Sequence, residues 1–180
     1  MNRIDAVEYS NATPEQKALF DTIQLRLGRV PNVLKVFAQS TVALQAVWGL
    51  SGVARAGSLS PQTRERIALA LAQRGSCEYE LSAHTIIGRQ VGLTGDEMAA
   101  NRAGSSEDAK AAVAVKLALG LAGYRDGIAT DELIRAREAG LTDSDIVEIV
   151  THVGMSLLTQ MMARTGCVAS DGPTGTVGGL

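Results

Sequence analysis

Apolar residues recur along this chain at helical spacing, and each block they form is bounded by residues that start or stop helices. Thr13-Pro14-Glu15-Gln16 sets an N-cap hydroxyl before a proline at the first helical position, with Gln three residues after the cap, and Gly28 closes the segment. This predicts a helix over 14–27. After Val30-Pro31 an apolar segment runs to about Gln39, and the next, Thr41 to Ala56, carries the only tryptophan, Trp48. Ser60-Pro61 opens a fourth segment, apolar at Ile67, Leu69, Ala70 and Leu71 and ending at Gly75. Ser76 reads as the N-cap of a fifth helix, from Cys77 to about Val91, stopped by Gly92.

Thr94-Gly95-Asp96-Glu97 reads as a capping box for a brief sixth helix, and Ser105-Ser106-Glu107-Asp108 caps an Ala-rich one that reaches Gly123. Thr130-Asp131 starts another, which stops at Gly140, and Thr142-Asp143-Ser144-Asp145 introduces a last long helix from Asp143 to Thr165. No stretch of four or more residues alternates with the β-branched enrichment of a strand. The prediction is one all-α domain of about seven to nine helices over 1–169, with a Gly-rich tail, 170–180, expected to be flexible. Val91-Gly92-Leu93-Thr94 and Ala139-Gly140-Leu141-Thr142 repeat one stop-and-restart device, a hint of internal duplication.

Composition narrows the function classes. With 46% hydrophobic and 20% charged residues, the 180-residue chain can build a sizeable core. Aromatic residues are only 3%, so Leu, Val, Ile and Ala must fill it. A net charge of -2 offers no basic field for a nucleic acid or an anionic bilayer, and neither is an expected partner. The longest apolar run, Ala111 to Tyr124, is broken by Lys116 and falls short of the roughly 20 residues of a membrane span. The N-terminus lacks the apolar region of a secretory signal, so a cytoplasmic protein is expected. Two cysteines make no disulfide scaffold.

Cys77, Glu80 and His84 stand at i, i+3 and i+7 of the fifth helix, within an arc of about 60°. With Ser76 as cap, Cys77 is the first helical residue, where free N–H groups and the helix dipole depress a thiol pKa, while Glu80 opposes this. Tyr79 points the other way. Glu65, between Arg64 and Arg66 on the preceding helix, can meet Glu80 or His84 across an antiparallel turn at Gly75-Ser76. His152 reads as a packing or interface histidine, and Cys167 as an exposed bystander or a distant resolving thiol. No ligand spacing calls for a metal.

Ser60-Pro61-Gln62-Thr63-Arg64-Glu65-Arg66-Ile67-Ala68-Leu69 and Cys77-Glu78-Tyr79-Glu80-Leu81-Ser82-Ala83-His84 resemble the core of the alkylhydroperoxidase D (AhpD) and carboxymuconolactone decarboxylase family. Asp145 to Gly154 resembles that family's later helix, and the likeness runs from about Gly28 to Thr165. The resemblance implies an AhpD-like bundle assembled as a homo-oligomer, and no cofactor is expected. In the family's redox members a Glu and a His relay protons while the two cysteines of a Cys-x-x-Cys motif cycle between dithiol and disulfide. By position, Glu65, Cys77 and His84 take the acid, first-cysteine and histidine places. Glu80 stands where the second cysteine would be, and a carboxylate cannot condense with a sulfenic acid.

Two enzymatic readings follow. The first is a peroxiredoxin-type, antioxidant oxidoreductase in which Cys77 is attacked by a hydroperoxide, Glu65 and His84 manage protons, and an external thiol reduces the product. It is favoured by the place of Cys77 at a helix start. The second is a lyase or isomerase acting on a small carboxylated lactone through Glu80, Glu65 and His84. A non-catalytic helical oligomer that binds a small ligand is the third.

Overall fold

The computed structural model describes residues 3–123 and 130–171, and among these there are nine α-helices and no strand. They are α1 (Pro14–Leu27), α2 (Asn32–Phe37), α3 (Thr41–Ala56), α4 (Pro61–Arg74), α5 (Glu78–Gln90), α6 (Gly95–Arg102), α7 (Ala109–Ala122), α8 (Thr130–Glu138) and α9 (Asp143–Gly166). The starts follow the caps. Side-chain oxygens of Thr13, Ser40, Ser60, Thr94, Asp108 and Thr142 each accept a hydrogen bond from the backbone N–H three residues on. Thr13 with Gln16 and Thr142 with Asp145 close reciprocal capping boxes.

The helix ends reuse one motif. At Gly92-Leu93 and Gly140-Leu141 a residue at positive φ is followed by one whose N–H reaches back five residues, Leu93 to the Gly88 carbonyl at 2.8 Å and Leu141 to Ala136 at 3.0 Å. The leucine is buried in each case. The predicted repeat is therefore a repeated Schellman ending followed by a threonine cap. Ser76-Cys77 is a third copy: Ser76 has φ 48°, its N–H bonds Gln73 at 3.0 Å, and the Cys77 N–H bonds Ala72 at 3.0 Å.

This corrects the expected start of α5. Ser76 belongs to the end of α4, while Cys77 is itself the N-cap residue, extended at φ −100° and ψ 90°, and supplies no side-chain cap. Cys77 thus occupies the position of Leu93 and Leu141, where the motif buries an apolar side chain.

Helix α4 is the hub, packed against α5, α6, α7 and α9. Ile67, Ala70 and Leu71 join α7, α8 and α9 in one core cluster, and Leu69 and Ala72 join α5 and α6 in another. A third cluster, with Phe20, Ile23, Leu34 and Phe37, binds α1, α2 and α3 together. By length and composition α9 could cross a membrane, which the sequence reading did not anticipate, yet 44% of its most apolar 18-residue stretch is buried inside the bundle and α9 packs against α2, α3, α4 and α7. It is the core helix of this fold. One side of it exposes Val147, Val150, Leu158 and Met161.

The first tail residues are tied down. Asp171 accepts from the Asn32 N–H at 2.8 Å and from the Tyr79 hydroxyl, and pairs with Arg29 at 3.5 Å. The remainder of the predicted flexible tail, 172–180, lies outside the described residues.

Glu97 does not complete its expected capping box. Its carboxylate instead accepts from Arg66 Nε at 2.6 Å, Asn101 Nδ2 at 3.0 Å, the Ser106 hydroxyl at 2.5 Å and the Glu107 N–H at 2.8 Å. Burial would raise its pKa, but these donors win and hold it down at about 2. Because the folded pKa is depressed, the contribution is present above the ordinary value of 4.5 and is lost as pH falls towards 2. Glu97→Ala should cost about 3 kcal/mol at neutral pH, since Arg66 and Asn101 lose their acceptor. Urea unfolding at pH 7 and pH 3 checks this: the gap between the two proteins should shrink at pH 3, and an equal gap would contradict it.

Candidate active site

Between α3, α4, α5 and α9 lies a cavity of about 140 Å³. Its polar wall carries Arg55, Arg64, Glu65, Glu80, His84 and His152, and its apolar wall includes Ile67, Leu71, Ile87 and Met155. The antiparallel α4–α5 pair brings Glu65 across from His84, whose Nδ1 lies 2.7 Å from Glu65 Oε2. Nδ1 is thereby engaged, and Nε2 is the ring nitrogen left for a bound molecule. Burial disfavours the imidazolium, but the charge and hydrogen bond of Glu65, helped by Glu80, outweigh it and raise the His84 pKa above 6.5.

Glu80 is 5% exposed and accepts the Ser156 hydroxyl of α9 at 3.1 Å. Ser156 in turn accepts from Gln160 Nε2 at 2.9 Å, so a chain of buried polar groups fixes the second carboxylate. Gly75 leaves room for the Gln160 carboxamide, which a Cβ at that position would strike. His84 and Glu80 share one face of α5, as the helical spacing predicts.

Cys77 departs from that face. As an N-cap residue in extended conformation it lies off the helical wheel, is 3% exposed, and is not among the residues bordering the cavity. Burial raises its thiol pKa, and the Glu80 charge adds to this. The backbone N–H groups of Glu80 and Tyr79 and the Arg164 charge pull down without prevailing. The helix-start effect is therefore present and too small, so the expected depressed thiol is not found.

Tyr79 turns away, as expected, with its hydroxyl on Asp171. Cys167 is exposed, at the left-handed C-cap of α9.

Sequence reasoning gave no site role to Arg55, Arg64 or His152, which all border the cavity. Arg55 comes seven residues after Trp48 on α3, and its guanidinium lies 5.8 Å from that ring. This spacing on a helix carrying the only tryptophan was the available signal. Arg64 Nη1 donates to the Arg55 carbonyl at 2.8 Å. His152, read as packing, is 7% exposed and borders the cavity, with its pKa lowered by burial and by Arg64. Among the described residues no group of three or more His, Cys, Asp and Glu side chains is arranged to hold a metal.

The family model for the carboxymuconolactone decarboxylase family matches residues 42–122, which contain three of the four helices around the cavity. Comparison with curated proteins gives no match. Among solved structures, an uncharacterised peroxidase-related protein from Silicibacter sp. TM1040 is 26% identical, with 94% of this chain and 93% of that one covered and a TM-score of 0.80. The AhpD-core, peroxidase-related protein from Ralstonia eutropha JMP134 is 22% identical over 95% and 93%, with a TM-score of 0.84. The debrominase Bmp8 shares the fold at 14% identity over 94% and 92%, with a TM-score of 0.78. Residues 42–122 thus match the carboxymuconolactone decarboxylase family model, and the chain as a whole has the AhpD-like helical fold.

Proposed function

We propose that the protein is an acid–base catalyst of the lyase or isomerase kind, acting on a small molecule held in the α3–α4–α5–α9 cavity. The observation that supports this is the composition of the cavity wall: Glu65, Glu80 and His84 border it, and Cys77 does not. In this reading the neutral form of His84 takes a proton from carbon beside a carbonyl through Nε2. The electron pair moves into the carbonyl, and the proton returns at another carbon. Glu65 orients the ring and stabilises the imidazolium formed. Glu80, held by Ser156, offers a second carboxylate to the same substrate.

The description of the Silicibacter structure as peroxidase-related favours the other reading, a one-cysteine peroxidase. One experiment separates them. Small carboxylated lactones are incubated with the protein in D2O and followed by proton NMR, in wild type and in Cys77→Ala. Deuterium uptake at carbon or product formation in both proteins is the expected result. Absence of either, together with hydroperoxide consumption in the presence of an external dithiol that requires Cys77, would establish the peroxidase in its place.

A further inference from the structure

We infer that Arg55 is a carboxylate-binding residue of this cavity, so that the molecule bound there is a small apolar-bodied carboxylate gripped edge-on by the Arg55 guanidinium. The inference deepens the acid–base reading and rests on the cavity being the substrate site. Nε and Nη2, the two nitrogens whose N–H groups share one edge of the guanidinium plane, are both buried and have no hydrogen-bond partner among the described residues. That edge matches the two oxygens of a carboxylate, which accept two parallel hydrogen bonds from it.

The surroundings sharpen the point. Trp48 lies against the guanidinium, its ring centroid 5.8 Å from Cζ. The neighbouring charges of Arg64 and Arg26 are of the same sign, and the opposing carboxylate, Glu65, is committed to His84. A guanidinium kept from water among like charges, with its donor edge unspent, is stabilised by an incoming anion. Burial and these two arginines also lower the Arg55 pKa, in keeping with that setting.

A second buried group points the same way. His152 Nε2 has no partner among the described residues and belongs to the same wall. It is placed to meet a polar atom on the body of a molecule whose carboxylate sits on Arg55. A cavity of about 140 Å³ with Ile67, Leu71, Ile87 and Met155 in its wall suits a ring of benzene size. The group held at Arg55 anchors the molecule, while the reacting carbon faces His84.

The test is a titration of the full chain with benzoate, followed through the arginine Nε–H resonances and by calorimetry. Benzamide serves as the neutral match and inorganic phosphate at equal ionic strength as the other anion. Saturable benzoate binding that shifts the Arg55 Nε–H resonance is expected, with benzamide and phosphate weaker by about 10-fold to 100-fold. Arg55→Lys, which keeps charge and stem but removes the fork, should weaken benzoate by a similar factor. Should Arg55→Lys fail to fold, the wild-type Nε–H shift decides alone.

Glu65→Gln should retain benzoate binding while losing turnover; a wild-type protein that binds benzoate through Arg55 yet shows no acid–base turnover would sink the catalytic reading and leave this one standing. Benzoate binding that ignores Arg55→Lys, or that benzamide or phosphate equals, overturns the inference. So does the absence of saturable binding.

Discussion

Glu65→Gln should reduce turnover in the cavity by about 10²-fold or more and carry the His84 titration from above 6.5 to below it. Glutamine keeps the shape and can still hydrogen-bond the ring, but the charge is gone. Of the influences on His84, burial is the largest and acts downward. Without Glu65 only Glu80 remains to oppose it. Proton NMR of the two histidines reads the shift directly, and His152, already lowered by burial and Arg64, serves as the internal reference.

The pH profile follows the same sign. With His84 as base, wild-type turnover rises with pH through the raised His84 pKa, whereas Glu65→Gln reaches its lower plateau at more acidic pH. Stability runs the other way: a raised folded pKa contributes fully below 6.5 and loses that contribution as pH climbs through the folded value. The stability gap between wild type and variant should therefore narrow at alkaline pH. An unchanged His84 titration with unchanged turnover would remove the pair from the mechanism.

Peroxide should oxidise Cys167 at least about 10²-fold faster than Cys77. Cys167 is exposed, whereas Cys77 is 3% exposed and its thiol is held in the protonated form by burial. A reagent reaches Cys77 only through local opening, and an opening of about 3 kcal/mol gives protection of that size. Mass spectrometry with a sulfenic-acid trap compares both sites in one sample. Faster oxidation at Cys77 would reverse the choice between the two readings.

The same logic applies to Glu80→Cys. That change removes the charge that helps raise the thiol pKa and restores a Cys-x-x-Cys pair, so a 77–80 disulfide and dithiol-dependent hydroperoxide reduction absent from wild type are expected.

Most helix boundaries were legible because hydroxyl caps and glycine stops act within four or five residues. Thr13, Ser60, Thr94 and Thr142 did what their local sequence prescribes. Ser76 misled for a physical reason. A serine after a glycine looks like a cap, yet here it takes the left-handed position that glycine usually fills, and this one step moved Cys77 from the first helical turn into a buried corner.

Helix length and turn position alone allowed Glu65 to meet Glu80 or His84, and the packing of α4 on α5 selects His84. The places of Arg55, His152 and Ser156 did not, since they depend on how α3 and α9 cross α4, and nothing local encodes that. Glu97 shows the same limit: its neighbours predicted a cap, but tertiary donors claimed the carboxylate.

The helix hairpin that pairs Glu65 with His84 also sets an order of assembly. That contact closes a separation of 19 residues, while Glu80 waits for Ser156 across 76. Closing the longer loop costs about 1 kcal/mol more in chain entropy, and it requires α9 to dock. During folding, the Glu65–His84 pair can thus exist before the chamber that encloses it. In pulsed hydrogen exchange, α4 and α5 should gain protection ahead of α9, leaving a short-lived species whose Glu–His pair faces open water.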